Sequence, residues 1–407
     1  MVGERVISGG WVAFSQIASK LINLAVFFVL ALYLDVYDYG IVAWAWIFVS
    51  VGEVLFDLGV SQAFIRDREL SEAAVSTTYW ILIILGLFWT FFVAGAAYVL
   101  MLISADSVVI EVLFALSPLF IVRAVVAMHV AFLTSISEFI LIAKAEISGA
   151  ILSAAVAVSM AWGGFGVWSL VIRPLVLALT VVVVIMAFKP VLPTFCFKRS
   201  IAQRLFRFGI PVMLSNNIAP LIEQVGERII IGAAFGTYGL GLAEFARRPV
   251  LVASQAIAGI LRGFVFKNLV DARAKGLREM RKDRRTFITV FSFIGLVAFG
   301  VIFSFSIYGV PAVWGGVWDE SIPIMAAYSP AILFVTVRGV VVYSIIAQGY
   351  SKQLVSLSFG SALMVLAALL VGSQIGLSGI GVAYSGAILI SLAMFVVYDA
   401  SRMGRSI

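Results

Sequence analysis

Charge is scarce in this sequence. Lysine, arginine, aspartate and glutamate together make up 12% of 407 residues, while 63% are hydrophobic. A soluble domain is about 25% charged and about 45–50% apolar even with glycine counted, so a water-soluble fold of this length lacks the charge to cover its surface. The same figures exclude a disordered or fibrous chain. The single cysteine, Cys196, excludes a disulfide framework or a thiolate metal site, and the single histidine, His129, excludes a multi-histidine metal site. His129 reads as a satisfied packing residue, Cys196 as a loop bystander, and no cofactor is expected. The class that remains is an integral membrane protein.

Hydropathy places apolar spans near 9–33, 41–64, 79–103, 112–135, 140–162 and 167–188. A second set lies near 208–235, 239–264, 287–309, 322–347, 353–374 and 378–399. The first is too long for a signal-peptide core and is expected as a retained span. The expected fold is all-α, about twelve transmembrane helices in two six-helix bundles, over 1–188 and 208–407, joined by a basic linker at 189–207. Only two connections are long and charged, 189–207 and 265–286.

Basic residues fix the orientation. With both termini and every second loop inside, the cytoplasmic side holds Arg5, Arg66, Arg68, Lys144, Lys352, Arg402, Arg405 and both basic loops, twenty in all. The opposite loops carry Asp35, Asp38, Asp106, Asp319 and Glu320 and no basic residue. A miscounted helix would scramble this segregation. The basic tracts therefore read as anchors to anionic lipid rather than as a nucleic-acid surface.

The halves echo one another. Tyr39-Gly40 and Tyr238-Gly239-Leu240-Gly241 follow the first and seventh spans; Gly164-Phe165-Gly166 and Gly379-Ile380-Gly381 open the sixth and twelfth. Six spans repeat in the same order and orientation, which implies a pseudo-twofold axis along the membrane normal. Transporters of this design run their substrate path between the halves.

Eight basic residues fall inside spans: Lys20, Arg123, Arg173, Arg228, Arg247, Arg248, Arg262 and Arg338. Each costs about 2.5–3.5 kcal/mol at a helix centre unless it meets water or a partner. In the first span Gln16, Lys20 and Asn23 share one helical face. Glu53 and Asp57 stripe the second span, Asn216, Asn217, Glu223 and Glu227 the seventh, and Glu244, Arg248 and Gln255 the eighth, with Arg247 beside them. Polarity thus concentrates on the first two helices of each half. Lys20, Arg247 and Arg248, with Gln16, Asn23, Asn216, Asn217 and Gln255, are the expected substrate-binding set. Glu53, Asp57, Glu223, Glu227 and Glu244 are candidates for ion coupling; Glu223 and Glu227 could equally pair with Arg228 or Lys20 as structural glue. Pro211 and Pro220 are expected to break the seventh span.

Several runs resemble the polysaccharide transport family, the O-antigen and exopolysaccharide flippases of the multidrug, oligosaccharidyl-lipid and polysaccharide exporter superfamily. They are Asp57-Leu-Gly-Val-Ser-Gln-Ala-Phe-Ile-Arg66 followed by Glu69-Leu-Ser-Glu72, Gly164-Phe-Gly-Val-Trp168, Arg207-Phe-Gly-Ile-Pro211, Glu227-Arg-Ile-Ile-Ile-Gly232, and Glu244-Phe-Ala-Arg-Arg248. The family usually has aspartate where Glu227 stands. The resemblance implies a flippase in the inner membrane that moves undecaprenyl-pyrophosphate-linked oligosaccharide to the periplasmic leaflet. Its partners would be the lipid-linked substrate, membrane lipid and polysaccharide polymerase and export proteins, with no nucleic acid and no enzymatic step. Two alternatives stand beside it. A cation-coupled multidrug antiporter wants an acidic cavity, and this one is basic by count. A membrane-embedded polymerase or ligase usually needs a long outer loop, and the longest here is about 310–321.

Overall fold

The computed structural model describes residues 19–67, 69–103 and 106–404, leaving aside the side chains of 215, 216, 351, 352, 403 and 404. Among the described residues every regular element is helical. In chain order they are α1 (Ser19–Leu30), α2 (Val36–Leu55), α3 (Val60–Asp67), α4 (Glu72–Leu102), α5 (Ser107–Leu116), α6 (Leu119–Ser135), α7 (Phe139–Trp162) and α8 (Trp168–Phe188). Then follow α9 (Arg199–Ile260), α10 (Phe266–Lys275), α11 (Leu277–Ser304), α12 (Val310–Trp314), α13 (Ser321–Tyr328), α14 (Ala331–Ala347), α15 (Ser351–Ile375) and α16 (Leu377–Gly404). Ten continuous stretches are long and apolar enough to cross a bilayer. One of them, Asn217–Lys275, has 59 residues, about 88 Å of helix, roughly twice a bilayer with its headgroups. It divides at Gly236, whose φ of 67° and ψ of −168° are non-helical and suit only glycine. With that division and the shorter apolar α1, the described chain accounts for the twelve spans expected.

Breaks within spans follow local chemistry. The second span is interrupted between α2 and α3, where Leu58 and Gly59 take positive φ and the Asp57 carboxylate accepts the Gly59 N–H at 2.9 Å. The fourth and tenth spans break at Ser117-Pro118 and Ser329-Pro330, 212 residues apart and in register with the internal repeat. A proline removes the N–H that would bond the carbonyl four residues back. Here the preceding serine replaces it: Ser117 Oγ donates to Phe114 O at 2.9 Å and Ser329 Oγ to Ala326 O at 2.7 Å. Pro211 and Pro220 do not break their span. The only non-helical residue inside α9 is Gly236, because an apolar helix can tolerate the missing bonds when its flanks remain packed.

The chain divides into two compact units between Leu221 and Ile222. In the first, α4 packs on α5 and α6 around Leu82, Leu113, Leu116, Leu119 and Phe120, and α7 packs on α8. The basic stretch 189–207 is fastened to this unit. Trp80 Nε1 donates to Thr194 O at 3.0 Å, Ser76 Oγ donates to the same oxygen, and Lys198 N–H donates to Thr77 Oγ1 at 3.0 Å. His129 is fully buried, bonded through Nδ1 to Val125 O at 2.8 Å and accepting the Val191 N–H on Nε2 at 3.4 Å. It packs; it has no acidic neighbour among these contacts. In the second unit α16 packs against α13, α14 and α15, and α11 against α14. Large apolar side chains such as Phe91, Val183, Val371 and Val397 stay exposed, as expected of a surface solvated by lipid.

Candidate functional site

The interior of the second unit holds a compact set of ionised groups built on the two limbs of α9. Glu223 and Glu227 lie four residues apart on the first limb, and Glu244 and Arg247 three apart on the second, so each pair shares a face. The reversal at Gly236 turns the limbs toward each other. Arg247 then forks across two carboxylates, with Nη1 at 2.8 Å from Glu227 and Nη2 at 2.5 Å from Glu244. Arg228 Nε reaches the same Glu244 oxygen at 2.6 Å. The Tyr328 hydroxyl, at the end of α13, donates to Glu227 at 2.7 Å. Tyr384 of α16 donates to Glu223 at 3.1 Å. Farther along, Arg338 donates to Ser361 at 3.2 Å and Ser391 at 3.1 Å, and those two hydroxyls bond one another at 2.7 Å.

Glu227, Arg228, Glu244 and Arg247 are all buried. Bare ions there would be prohibitively costly; forked, multiply bonded pairs bring that cost back to near balance. Three carboxylates (Glu223, Glu227, Glu244) stand with three guanidinium groups (Arg228, Arg247, Arg338), so the formal charges of these six groups cancel. The basic surplus inferred from counting residues is not found among these six groups. Arg247, expected among the substrate ligands, is engaged by Glu227 and Glu244, expected among the ion-coupling groups. The glue reading of Glu227 is the one its geometry matches, though its partner is Arg247.

In the first unit Glu53 pairs with Arg123 at 2.6 Å, linking α2 to α6. Asp57 caps the α2–α3 turn as described. Asn23 accepts a hydrogen bond from Arg173. Lys20, Arg248 and Asn217 are half-buried, and Gln255 is exposed. Gln16 and the Asn216 side chain lie outside the described residues. The α9–α13–α16 constellation includes Tyr328 and Tyr384, which reading the sequence passed over. Both sit in apolar spans without a charged neighbour in sequence, and only Tyr328, beside the Ser329-Pro330 break, carried any local signal.

A family described as polysaccharide biosynthesis protein matches residues 29–323. The chain belongs to this family. Its fold is shared with solved structures from the MOP superfamily. An inward-facing MATE-family multidrug resistance transporter aligns at a TM-score of 0.78 and 14% identity, covering 95% of each chain. The lipid II flippase MurJ in an inward closed conformation aligns at 0.67 and 15% identity, over 96% of this chain and 87% of that one. A MOP superfamily transporter from Pyrococcus furiosus, whose binding pocket is described as of reverse polarity, aligns at 0.59 and 14%, over 98% and 95%. No curated protein matches the sequence. For this member of the polysaccharide biosynthesis family, the all-helical architecture and the multi-pass membrane character are thus fold-level properties.

Proposed function

We propose that the protein is a flippase that carries undecaprenyl-pyrophosphate-linked oligosaccharide from the cytoplasmic to the periplasmic leaflet of the inner membrane, by alternating access and without covalent chemistry. The observation that carries this reading is membership of a polysaccharide biosynthesis family by a chain with the fold of membrane transporters, one a lipid II flippase. The cargo head combines a pyrophosphate with a sugar, and neither crosses hydrocarbon unaided. Lys20 and Arg248, half-buried cations, are assigned to the pyrophosphate, since ammonium and guanidinium groups bind phosphate oxygens. Asn217 and Gln255, with Gln16, Asn23 and Asn216, offer amides to sugar hydroxyls. Arg247 is assigned to holding the second unit together. Arg228 Nη1, buried and without a hydrogen-bond partner among the described residues, is a donor left to take a further acceptor. Of the candidate coupling carboxylates, Glu223 is the most available, bonded to a hydroxyl rather than forked by arginine. An inside-negative potential favours outward movement of the anionic head by about 2.3 kcal/mol per charge per 100 mV.

The test is complementation of a strain lacking the gene. Lys20→Ala and Arg248→Ala should each insert normally yet fail to restore surface polysaccharide, with lipid-linked repeat units accumulating inside. Wild-type surface polysaccharide from both variants overturns the assignment. A reporter fused after Lys198 should score cytoplasmic; a periplasmic score overturns the direction.

A further inference from the structure

The offset between the halves grows from 201 residues at Gly40 and Gly241 to 212 at Pro118 and Pro330. The extra residues enter between the second and third spans of the second half. In the first unit the corresponding turn, between α3 and α4, is short and neutralised: Asp67 pairs with Arg66 at 2.7 Å and Arg204 at 3.0 Å, and Glu69 pairs with Arg204. In the second unit the place is taken by a helical hairpin, α10 and the start of α11, joined at Gly276 with φ 129°. Leu261, Val265, Leu269, Ala272 and Met280 are buried and hold it rigid. From Arg262 to Arg285 it carries nine basic residues against three acidic ones. Arg284 is committed internally, to the fully buried Asp399 of α16. Arg278, Lys282 and Arg285 are not so placed: they stand at i, i+4 and i+7 on one face of α11 and all are exposed.

We infer that this face of α11 is a binding site for the headgroups of anionic phospholipids. The placement follows from helix geometry. The apolar part of α11 begins at Phe287, whose ring meets the exposed Phe264 edge-on at 5.9 Å; the change from a charged to an apolar run places the hydrocarbon edge at this level. At about 1.5 Å per residue, Arg285 and Lys282 fall within about 8 Å of that edge, inside the headgroup layer. Arg278 lies a further ~6 Å out, still within a Debye length of the surface. The three cations thus span the depth over which lipid phosphates sit, with their long stems able to reach them. An acidic soluble partner would be served by Arg273 and Lys275, exposed beside the Gly276 turn; Lys282 and Arg285 stand instead at the level of the membrane surface.

The inference is independent of the cargo, since lipid retention by the purified protein is read without transport. The full-length protein is extracted from nanodiscs of equal phosphatidylglycerol and phosphatidylcholine, and retained lipid is counted by native mass spectrometry. R278Q/K282Q/R285Q is compared with wild type and with K189Q/K198Q, which removes two basic residues elsewhere. Each headgroup-facing charge contributes about fivefold in lipid preference, so the triple variant should lose most of the phosphatidylglycerol preference while K189Q/K198Q keeps it. Should the triple variant fold poorly, raising salt on the wild-type protein from 0.1 to 0.5 M (roughly halving the Debye length) should strip the preference instead. Unchanged retention in a well-folded triple variant overturns the site, as does an equal loss in K189Q/K198Q. Salt-insensitive retention by the wild type also overturns it, as does an acidic protein that occupies the hairpin without altering lipid retention.

Discussion

Glu244→Gln isolates the role of the ionised cluster in the second unit. Its carboxylate serves two guanidinium groups, at 2.5 Å and 2.6 Å, and is itself buried. Glutamine keeps the shape and removes the charge. Arg247 retains Glu227 at 2.8 Å, but Arg228 loses the carboxylate it is bonded to and becomes a buried cation without an ion-pair partner. Breaking a buried pair in this way costs about 3–5 kcal/mol. An ion pair such as Lys189–Glu138, with side chains 43% and 42% exposed, contributes about 0–1 kcal/mol, and Lys189→Gln is therefore the matched control. Because a chain of this size unfolds irreversibly, the readout is the inactivation half-life in detergent, followed by tryptophan fluorescence. At 1.4 kcal/mol per decade, Glu244→Gln should shorten that half-life by about a hundredfold or more, and Lys189→Gln by less than about fivefold. Adding Arg228→Met to Glu244→Gln removes the stranded cation and should recover much of the loss, a coupling of about 0.5–3 kcal/mol. A single variant no weaker than the control, or a double variant no better than the single, would refute the claim that these charges hold the unit together.

Three further outcomes follow from the geometry. Gly59→Ala should be far more damaging than Gly164→Ala: both glycines have positive φ, but a Cβ on Gly59 would stand 2.3 Å from the Gly209 carbonyl oxygen whereas one on Gly164 meets nothing, so thermal stability should separate them by more than the ~1 kcal/mol of strain they share. Ser329→Ala should cost about 1–3 kcal/mol by leaving the Ala326 carbonyl without the donor that replaces the Pro330 N–H, measured by the same half-life. The Glu69 carboxyl is held below its ordinary value of 4.5, first by the hydrogen bond from Arg204 and then by that from Ser71. A depressed folded value means the stabilisation is full above the ordinary value and is lost as pH falls through the folded one. Being exposed, the pair contributes only about 0–1 kcal/mol, so Arg204→Ala should lower stability by up to that amount at neutral pH and by progressively less below about pH 4.5, flattening the acid limb of the stability–pH curve.

The apolar runs alone determined the membrane class, the number of spans and a division between the seventh and eighth somewhere between residues 235 and 239, because hydrocarbon demands about 20 apolar residues with internally bonded backbone; the structure puts it at Gly236. Breaks fall at Pro118 and Pro330, where a serine takes over the orphaned carbonyl; at Pro211 and Pro220, where breaks are expected, the helix continues. Counting charges in spans rightly marked Glu227, Arg228, Glu244 and Arg247 as unusual, since no helix carries such groups in lipid without cause. Whether a buried cation waits for a ligand or is already matched depends on atoms 16 to 20 residues away, brought within 3 Å only when α9 doubles back. Tyr328 and Tyr384, contributed by α13 and α16, were invisible for the same reason. Sequence spacing fixes which residues share one helix face; which faces meet, and so which charges cancel, is decided by packing between helices distant in the chain.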